Sequence, residues 1–458
     1  MILGNSKNRL RLPAFLLGVL AFCAIVFTFH VYLQDENHYY TFRHIIKNYE
    51  VSLDSNWVKS AYQTEKPFAK IRPQNLIVWD AAHYNDIRVD MYQGKIAYNE
   101  KFAFFPLFPL MWKALGVNAF GICLVNWLLF FLGMLVMFQI FKEKDLPYWA
   151  YFMVLLVPMT VVYMIPYSEA LFFLCIAFGM YGILKEKYWF YFIGFLLASM
   201  ARSSANIFLV AFLCVEMLVS LRQESFKHFI THFLKRILPI ILGVFLVMLF
   251  QKIRGAESWF AFIKAQSYWD KKISLPSLPF TDWSSEGKSI TFPFVLMYFI
   301  PMLIVLAREF FLRLFGKKKE SVSKWDYLRY LSILYIVGNV LLAMLTQQRG
   351  LYSLARYMLC TPFFVFLLYD TVLRSRNNKW QIVYGLICLL AILCFVKYFV
   401  NFQFCGIWLI IIGSLLAFYH RRLPNIVVYI LLIAGILFNV VWTAYLYNNF
   451  LVDAWIYT

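Results

Sequence analysis

Continuous apolar stretches separated by short polar loops run along most of this chain. The stretches are about 16 to 22 residues long, the length of a membrane-crossing α-helix, whereas strands of a membrane barrel alternate in polarity over about ten residues. The pattern predicts an all-α polytopic membrane protein with about thirteen transmembrane helices in one integral membrane domain, residues 1–458. The predicted spans lie near 13–33, 117–141, 147–165, 169–184, 188–207, 208–221, 237–251, 291–307, 329–346, 354–373, 380–397, 404–419 and 424–447.

The loops between these spans alternate in charge, and the alternation predicts the orientation of the chain. Basic residues close to helix ends are retained on the cytoplasmic side of a membrane. The basic loops, all placed inside by this register, begin at Lys142, Lys185, Arg222, Arg308, Arg374 and His420. The N-terminus is then inside, the C-terminus is outside, and two long external segments cover 34–116 and 252–290.

Composition agrees with a membrane protein. Hydrophobic residues make up 62% of the chain and charged residues 15%, and the mean hydropathy is +0.66. So few polar residues cannot cover a water-soluble globule of this size. The net charge of +19 would suit a nucleic-acid partner. The basic residues sit in short loops, however, as the positive-inside rule requires of any such protein, so a nucleic-acid partner is not expected.

The first external segment holds two apolar elements that do not span. Residues 37–49 have apolar side chains at helical spacing with basic residues between them, which predicts a helix lying in the membrane interface. Residues 102–115 are apolar but too short and too rich in proline to cross the bilayer. We expect this second element to dip into the outer leaflet and to be buried against other helices.

The stretch 76–110 carries the main candidate chemistry. Its acidic, imidazole and phenol side chains follow one another at roughly one-turn spacings: Asp80, His83, Tyr84, Asp86 and Asp90. Three apolar runs also contain ionisable groups, which are expensive in lipid and therefore informative. These are Glu169, Arg202 and Arg356, all at the outer ends of their predicted helices. We expect them to meet Asp80 in a cavity open to the outside, with the inner halves of the spans nearly free of ionisable groups.

Each of these residues also has a purely structural interpretation. Asp80 is placed to cap the short helix that follows it, and Ser168 is placed to cap the next span with Glu169 in its first turn. Arg202 and Arg356 could extend toward the interface with only their stems in lipid.

His83 lies three residues from both Asp80 and Asp86, so it could form either a metal site or a hydrogen-bonded pair with one of them. Two carboxylates and one histidine without further spaced ligands are a weak metal signal. Neither a metal nor another cofactor is therefore expected.

Sugar transfer from a polyprenyl-phosphate donor to a hydroxyl group fits these residues. The leaving phosphate needs no protonation, so one carboxylate acting as general base on the acceptor is sufficient. Arginines at the membrane surface suit the phosphate, because the guanidinium fork matches its geometry and keeps its charge. Aromatic-rich helices would hold the isoprenoid tail, since 20% of the chain is aromatic.

A series of motifs resembles a known family. The sequence VWDAAHY is followed about twenty residues on by AFFPLFPL, then by IPYSEALFF, ARSS and ARYMLCTPFF. Together these closely resemble the PIG-V-like mannosyltransferases, the family named for the second mannosyltransferase of GPI-anchor assembly, which has bacterial relatives. The resemblance covers positions 76 to 362 and implies the GT-C fold of membrane glycosyltransferases.

The resemblance implies roles for single residues. Asp80 corresponds to the acidic residue that GT-C enzymes use as catalytic base, with Trp79 and His83 as its motif companions. Tyr84 stands where the family often has Phe. Glu169 matches a carboxylate with a structural or acceptor-binding role.

Further roles follow in the same way. Arg202 and Arg356 match basic positions and are assigned to the donor phosphate. Tyr167 and Tyr357 are assigned to substrate binding or motif support, as are Gln266 and Trp269. The last two lie in an external segment, 266–270, that would serve equally well as an interfacial anchor.

The resemblance also implies an inverting enzyme that takes mannose, or a related sugar, from a polyprenyl- or dolichyl-phosphate donor. We expect a lipid or cell-envelope glycan acceptor, and a multi-pass protein of a bacterial inner membrane whose active site faces the periplasm. The alternative is a lipid-linked sugar transporter or flippase without chemistry of its own. Such a protein should carry polar groups through the midplane to both faces, and the sequence shows no convincing inverted repeat.

Overall fold

The computed structural model describes residues 11–48, 69–93, 99–220, 226–269, 295–315, 322–346, 353–375 and 406–453, together with residue 456 and a few positions between 383 and 390. Every regular element within these residues is a helix, and no strand occurs among them. The prediction of an all-α protein is confirmed for this part of the chain.

The helices follow the apolar pattern. The first eight are α1 (Arg11–Tyr32), α2 (Glu36–Asn48), α3 (Asp80–Asp90), α4 (Leu107–Leu115), α5 (Ala119–Phe141), α6 (Glu169–Leu184), α7 (Tyr188–Ala201) and α8 (Asn206–Ser220). The next eight are α9 (Phe226–Ile253), α10 (Ala261–Lys264), α11 (Ile300–Phe315), α12 (Lys324–Thr346), α13 (Leu354–Leu359), α14 (Pro362–Arg374), α15 (Gly406–Tyr419) and α16 (Asn425–Leu451). A π-helical turn, Val295–Phe299, leads into α11.

Six of the described helices are long and apolar enough to cross a membrane, namely α1, α5, α9, α11 with its π-helical turn, α12 and α16. Three shorter apolar helices, α6, α7 and α8, pack among them. The chain is therefore a helical membrane protein. The sequence predicted about thirteen spans, more than the six helices of spanning length that occur among the described residues. Most of the predicted span 380–397 lies outside the described residues.

The predicted span 147–165 is not an α-helix. It forms two 3-10 segments, Tyr148–Leu156 and Thr160–Tyr163, separated at Pro158. Proline lacks a backbone donor and disfavours helical backbone at the residue before it, and prolines also flank this stretch at positions 147 and 166. The prediction of one continuous helix here was wrong for that reason.

Polar side chains of neighbouring helices satisfy the backbone of this irregular stretch. Asn439 Nδ2 of α16 donates to the Leu155 carbonyl oxygen at 2.7 Å, and Trp442 Nε1 donates to that of Pro158 at 2.7 Å. Asn126 Nδ2 of α5 donates to the Tyr167 carbonyl oxygen at 2.9 Å. Backbone groups at membrane depth need such partners because lipid offers none. These bonds fix the chain that leads into α6.

The predicted span 354–373 is also divided. It forms α13 and α14, which are separated at Cys360 and Thr361. The Thr361 side chain accepts a hydrogen bond from the Phe364 amide, and Pro362 occupies the first helical position. Both are strong signals for a helix start. The break allows the short helix α13 to run in a different direction from α14. Arg356, which lies in α13, is thereby placed inside the bundle.

Glycines let α6 and α7 approach each other closely. A Cβ at Gly194 of α7 would lie 2.5 Å from the backbone nitrogen of Gly179 and 2.6 Å from the carbonyl oxygen of Cys175. Small residues at such contacts are a main source of helix association in membranes. The contact sets the position of the start of α6 relative to the end of α7.

Replacing Gly194 by Ala is expected to destabilise the protein, because the two helix backbones must separate to admit the methyl group. We expect the free energy of unfolding to fall by about 1–3 kcal/mol, measured as a lower midpoint of thermal unfolding in detergent. Gly413→Ala in α15 is the matched control, since among the described residues its Cβ would meet only the Tyr298 hydroxyl at 3.5 Å. Equal midpoints for the two variants would contradict the close α6–α7 contact.

Candidate functional site

Four charged side chains from separate segments meet at one end of the helix bundle. Glu169 is the first residue of α6, Arg202 follows the last residue of α7, Arg356 lies in α13 and Asp80 is the first residue of α3. Arg202 Nη1 and Arg356 Nε both bind Glu169 Oε1, and Arg356 Nη2 lies 2.7 Å from Asp80 Oδ2. We call this continuous series of ion pairs the Asp80–Arg202 chain.

Within the Asp80–Arg202 chain, the Glu169 side chain is the most buried and the Asp80 side chain is the most exposed. The exposed fraction of the side chain is 2% for Glu169, 4% for Arg356, 11% for Arg202 and 31% for Asp80. Both arginines are thus turned into the protein, and the interpretation that they extend to the interface was wrong. Asp80 is the most exposed of the four side chains.

Asp80 does not cap α3. Trp79 occupies the N-cap position, and the Asp80 carboxylate binds Arg356 instead. Ser168 precedes α6, but its hydroxyl lies 2.8 Å from the Tyr84 hydroxyl and makes no capping bond. The capping interpretation was therefore wrong for Asp80, whereas Ser168 occupies the predicted N-cap position of α6 without a capping bond from its side chain. Asp80 and Glu169 nevertheless stand in the first turns of their helices, where the helix dipole favours negative charge.

The two helices joined by the Asp80–Arg356 pair both begin after a strained residue. Trp79 has φ 52° and Ser353, just before α13, has φ 58°. Such backbone is rare for residues other than glycine, costs of the order of 1–3 kcal/mol and persists only where the surrounding structure fixes it. Strained residues of this kind concentrate at functional sites.

Aromatic rings surround the two guanidinium groups. The Tyr167 ring centre is 4.3 Å from Arg356 Cζ, and the Tyr357 ring faces Arg202 at 5.2 Å and Arg356 at 5.6 Å. Cation–π contacts of this kind hold a guanidinium in place without using its N–H donors. The structure therefore brings Tyr167 and Tyr357 to the predicted site.

Tyr84 joins α3 to the start of α6 through its bond to Ser168. Burial raises the pKa of the Tyr84 hydroxyl far above its ordinary value, although the positive charge of Arg202 opposes the shift. The hydroxyl therefore stays protonated. A phenylalanine at this position, as the resembled family often has, would lose this bond.

His83 packs against an aromatic ring, with its own ring stacked on Phe104 at 4.6 Å between centres. Asp86, its other predicted partner, lies 3.5 Å from Lys101 Nζ. Within the described residues, no group of three or more His, Cys, Asp and Glu side chains is arranged to hold a metal. The expectation that no metal or cofactor takes part stays a prediction.

Two predicted substrate contacts lie in a different place. Gln266 is half-buried in the 3-10 turn Ala265–Trp269, which packs with α10 against the turn Asn99–Ala103. The side chain of Trp269 and residue 270 lie outside the described residues. The assignment of this segment to the acceptor stays a prediction.

Two buried carboxylates inside helices were missed. Glu216 of α8 accepts a hydrogen bond from the Tyr327 hydroxyl at 2.6 Å, and Asp370 of α14 accepts one from Trp325 Nε1 at 2.6 Å. The expectation that the inner halves of the spans are nearly free of ionisable groups is therefore wrong for these two helices. The signal was present, since each is a single carboxylate within an apolar run.

Comparison of the chain with family models, with curated proteins and with solved structures finds no match. The resemblance to the PIG-V-like mannosyltransferases thus stays a prediction that rests on its motifs.

Proposed function

We propose that this protein is a membrane glycosyltransferase that moves a sugar from a polyprenyl-phosphate donor to a hydroxyl group of a lipid or cell-envelope glycan. The observation that carries the proposal is the Asp80–Arg202 chain, in which a partly exposed carboxylate is held by a buried arginine. A fixed carboxylate beside guanidinium groups is what inverting transfer from a phosphate leaving group requires.

Asp80 acts as the general base. Arg356 holds its Oδ2 atom, which orients the carboxylate, and Oδ1 takes the proton of the acceptor hydroxyl. The acceptor oxygen then forms a bond to the anomeric carbon of the sugar while the bond from that carbon to the phosphate oxygen breaks. The electron pair of the broken bond stays on the polyprenyl phosphate, so no general acid is needed.

Arg202 suits the donor phosphate better than Arg356 does. The Arg356 side chain is only 4% exposed and binds two carboxylates, so it serves mainly to place Asp80. Arg202 is more exposed and binds Glu169. Because the two arginines and two carboxylates balance in charge, phosphate binding must draw on directed guanidinium hydrogen bonds more than on net charge.

A lipid-linked sugar transporter is the second candidate, and buried Glu216 is the observation that favours it. Glu216 lies ten residues beyond the start of α8 at Asn206. That distance is about 15 Å along the helix. A transporter would use buried ionisable groups at more than one depth in the membrane, and Glu216 lies at a different depth from the Asp80–Arg202 chain.

Transfer and transport can be separated in proteoliposomes that contain the purified protein, a lipid extract and polyprenyl-phosphate mannose labelled in the sugar. The proposal predicts that label appears in a new product and that an equal amount of unlabelled polyprenyl phosphate is released. Movement of intact donor across the bilayer without a product would favour the transporter and contradict the transferase.

A further inference from the structure

The residues that follow α3 return to it through polar contacts. Lys101 Nζ lies 2.8 Å from Asp90 Oδ2 and 3.5 Å from Asp86 Oδ2, both on α3. The Tyr92 hydroxyl donates to the Phe104 carbonyl oxygen at 2.6 Å. We call residues 99–105 the return segment. Only 11% of the Lys101 side chain is exposed, against 24% for Asp90 and 47% for Asp86, so the contact with Asp90 is the better shielded from water of the two.

The return segment is also attached to a membrane-crossing helix. Gln251 Nε2 of α9 donates to the Phe102 carbonyl oxygen at 2.8 Å, and the Tyr92 ring stacks on that of Phe102 at 5.2 Å. Phe105 is buried against Phe262 of α10. The segment is thus a fixed support on which α3 rests.

The return segment also contacts residues of α3 that lie close to Asp80. Phe104 stacks on His83 at 4.6 Å and meets the edge of the Tyr84 ring at 5.2 Å. Helix α3 has only 11 residues, and isolated helices of this length are marginal in water. Its position, and with it that of Asp80, must therefore come from tertiary contacts.

We propose that Lys101 is a positioning residue that joins α3 to the return segment and thereby places Asp80 against Arg356. The effect on catalysis rests on the proposed function, whereas the effect on α3 does not. Burial opposes the charge on Lys101, but the hydrogen bond that Lys101 donates to Asp90 and the negative charge of Asp86 prevail and raise its pKa. Lys101 therefore stays cationic, and the contact persists throughout the neutral range.

Lys101→Met removes the charge and keeps most of the stem. We expect amide hydrogen exchange in α3 to become about tenfold faster, because opening of α3 loses a native contact. We expect the turnover number for sugar transfer to fall about tenfold, with the KM for donor nearly unchanged, because a misplaced base slows chemistry more than binding. Lys101→Arg should restore both values. Lys113→Met, an exposed lysine on α4, is the matched control and should alter neither.

Exchange in α3 that is the same in Lys101→Met and in the native protein would overturn the proposal. Exchange that rises equally in every helix would also overturn it, since Lys101 would then support the whole fold and not α3 in particular. If the native protein transfers no sugar, the proposed function fails, and the exchange measurement still decides whether Lys101 places α3.

Discussion

Replacing Asp80 by Asn is expected to lower the turnover number for sugar transfer by about 10²–10⁴-fold while the donor still binds. Asparagine keeps the shape of the side chain and an oxygen that can accept the hydrogen bond from Arg356 Nη2. Its amide cannot take the proton of the acceptor hydroxyl, so the chemical step is affected more than donor binding. Initial rates of transfer in proteoliposomes, taken with donor binding, measure this separation.

The matched control for Asp80→Asn is Glu257→Gln, which removes a carboxylate that is 78% exposed in the turn after α9. This variant should transfer sugar at the native rate. If Asp80→Asn also keeps the native rate, Asp80 is not the base.

Replacing Glu169 by Gln is expected to destabilise the protein by about 3–5 kcal/mol, the usual effect of removing one partner from a buried ion pair. The neutral side chain leaves Arg202 and Arg356 close together without the carboxylate that binds both. The change should appear as a lower midpoint of thermal unfolding in detergent, together with loss of transfer. Glu143→Gln is the control, because Glu143 is 74% exposed and pairs only at the surface with Lys185.

The double variant Glu169→Gln, Arg202→Gln tests whether the loss of stability in Glu169→Gln comes from the uncompensated charge of the arginines. It removes one negative and one positive charge and leaves the Arg356–Asp80 pair intact. We therefore expect it to be less destabilised than the sum of the two single variants. Strict additivity would show that the residues of the Asp80–Arg202 chain do not act on one another.

Most of the helices could be predicted from the apolar pattern, although α7 ends at Ala201, six residues before the end of the predicted span 188–207. Helices α1, α5 and α6 lie within two residues of their predicted bounds. Helix α9 begins eleven residues before the predicted span, because the polar residues at its start are helical without being apolar enough for the membrane pattern. The failures at 147–165 and 354–373 occurred at prolines, whose effect a hydrophobicity pattern does not register.

The members of the site could be predicted, but their pairing could not. Glu169, Arg202 and Arg356 are singled out because ionisable groups in apolar runs are expensive, and Asp80 because it lies in the polar stretch 76–110 and matches the resembled motif. Which group binds which depends on the ends of α3, α6, α7 and α13 meeting in space. Asp80 and Arg356 are far apart in the chain, and no local spacing relates them.

Lys101 and Gln251 were missed for a similar reason. Lys101 lies in a polar loop, where a lysine is ordinarily solvated, and its burial comes from contacts with α3 and the aromatic return segment. Gln251 lies near the end of α9 and resembles an interfacial residue until Phe102 is placed beside it. Only the fold gives either residue a partner.

A single-turnover experiment measures whether Asp80 takes part in the transfer of the sugar. Labelled polyprenyl-phosphate mannose is bound to the native protein and to Asp80→Asn, acceptor lipid is added, and transfer of the bound sugar is followed in time. We expect the native protein to transfer the bound sugar to the acceptor, whereas the Asn variant should retain intact donor over the same period. Transfer at equal rates by both proteins, or donor that the native protein binds and never consumes, would contradict this expectation.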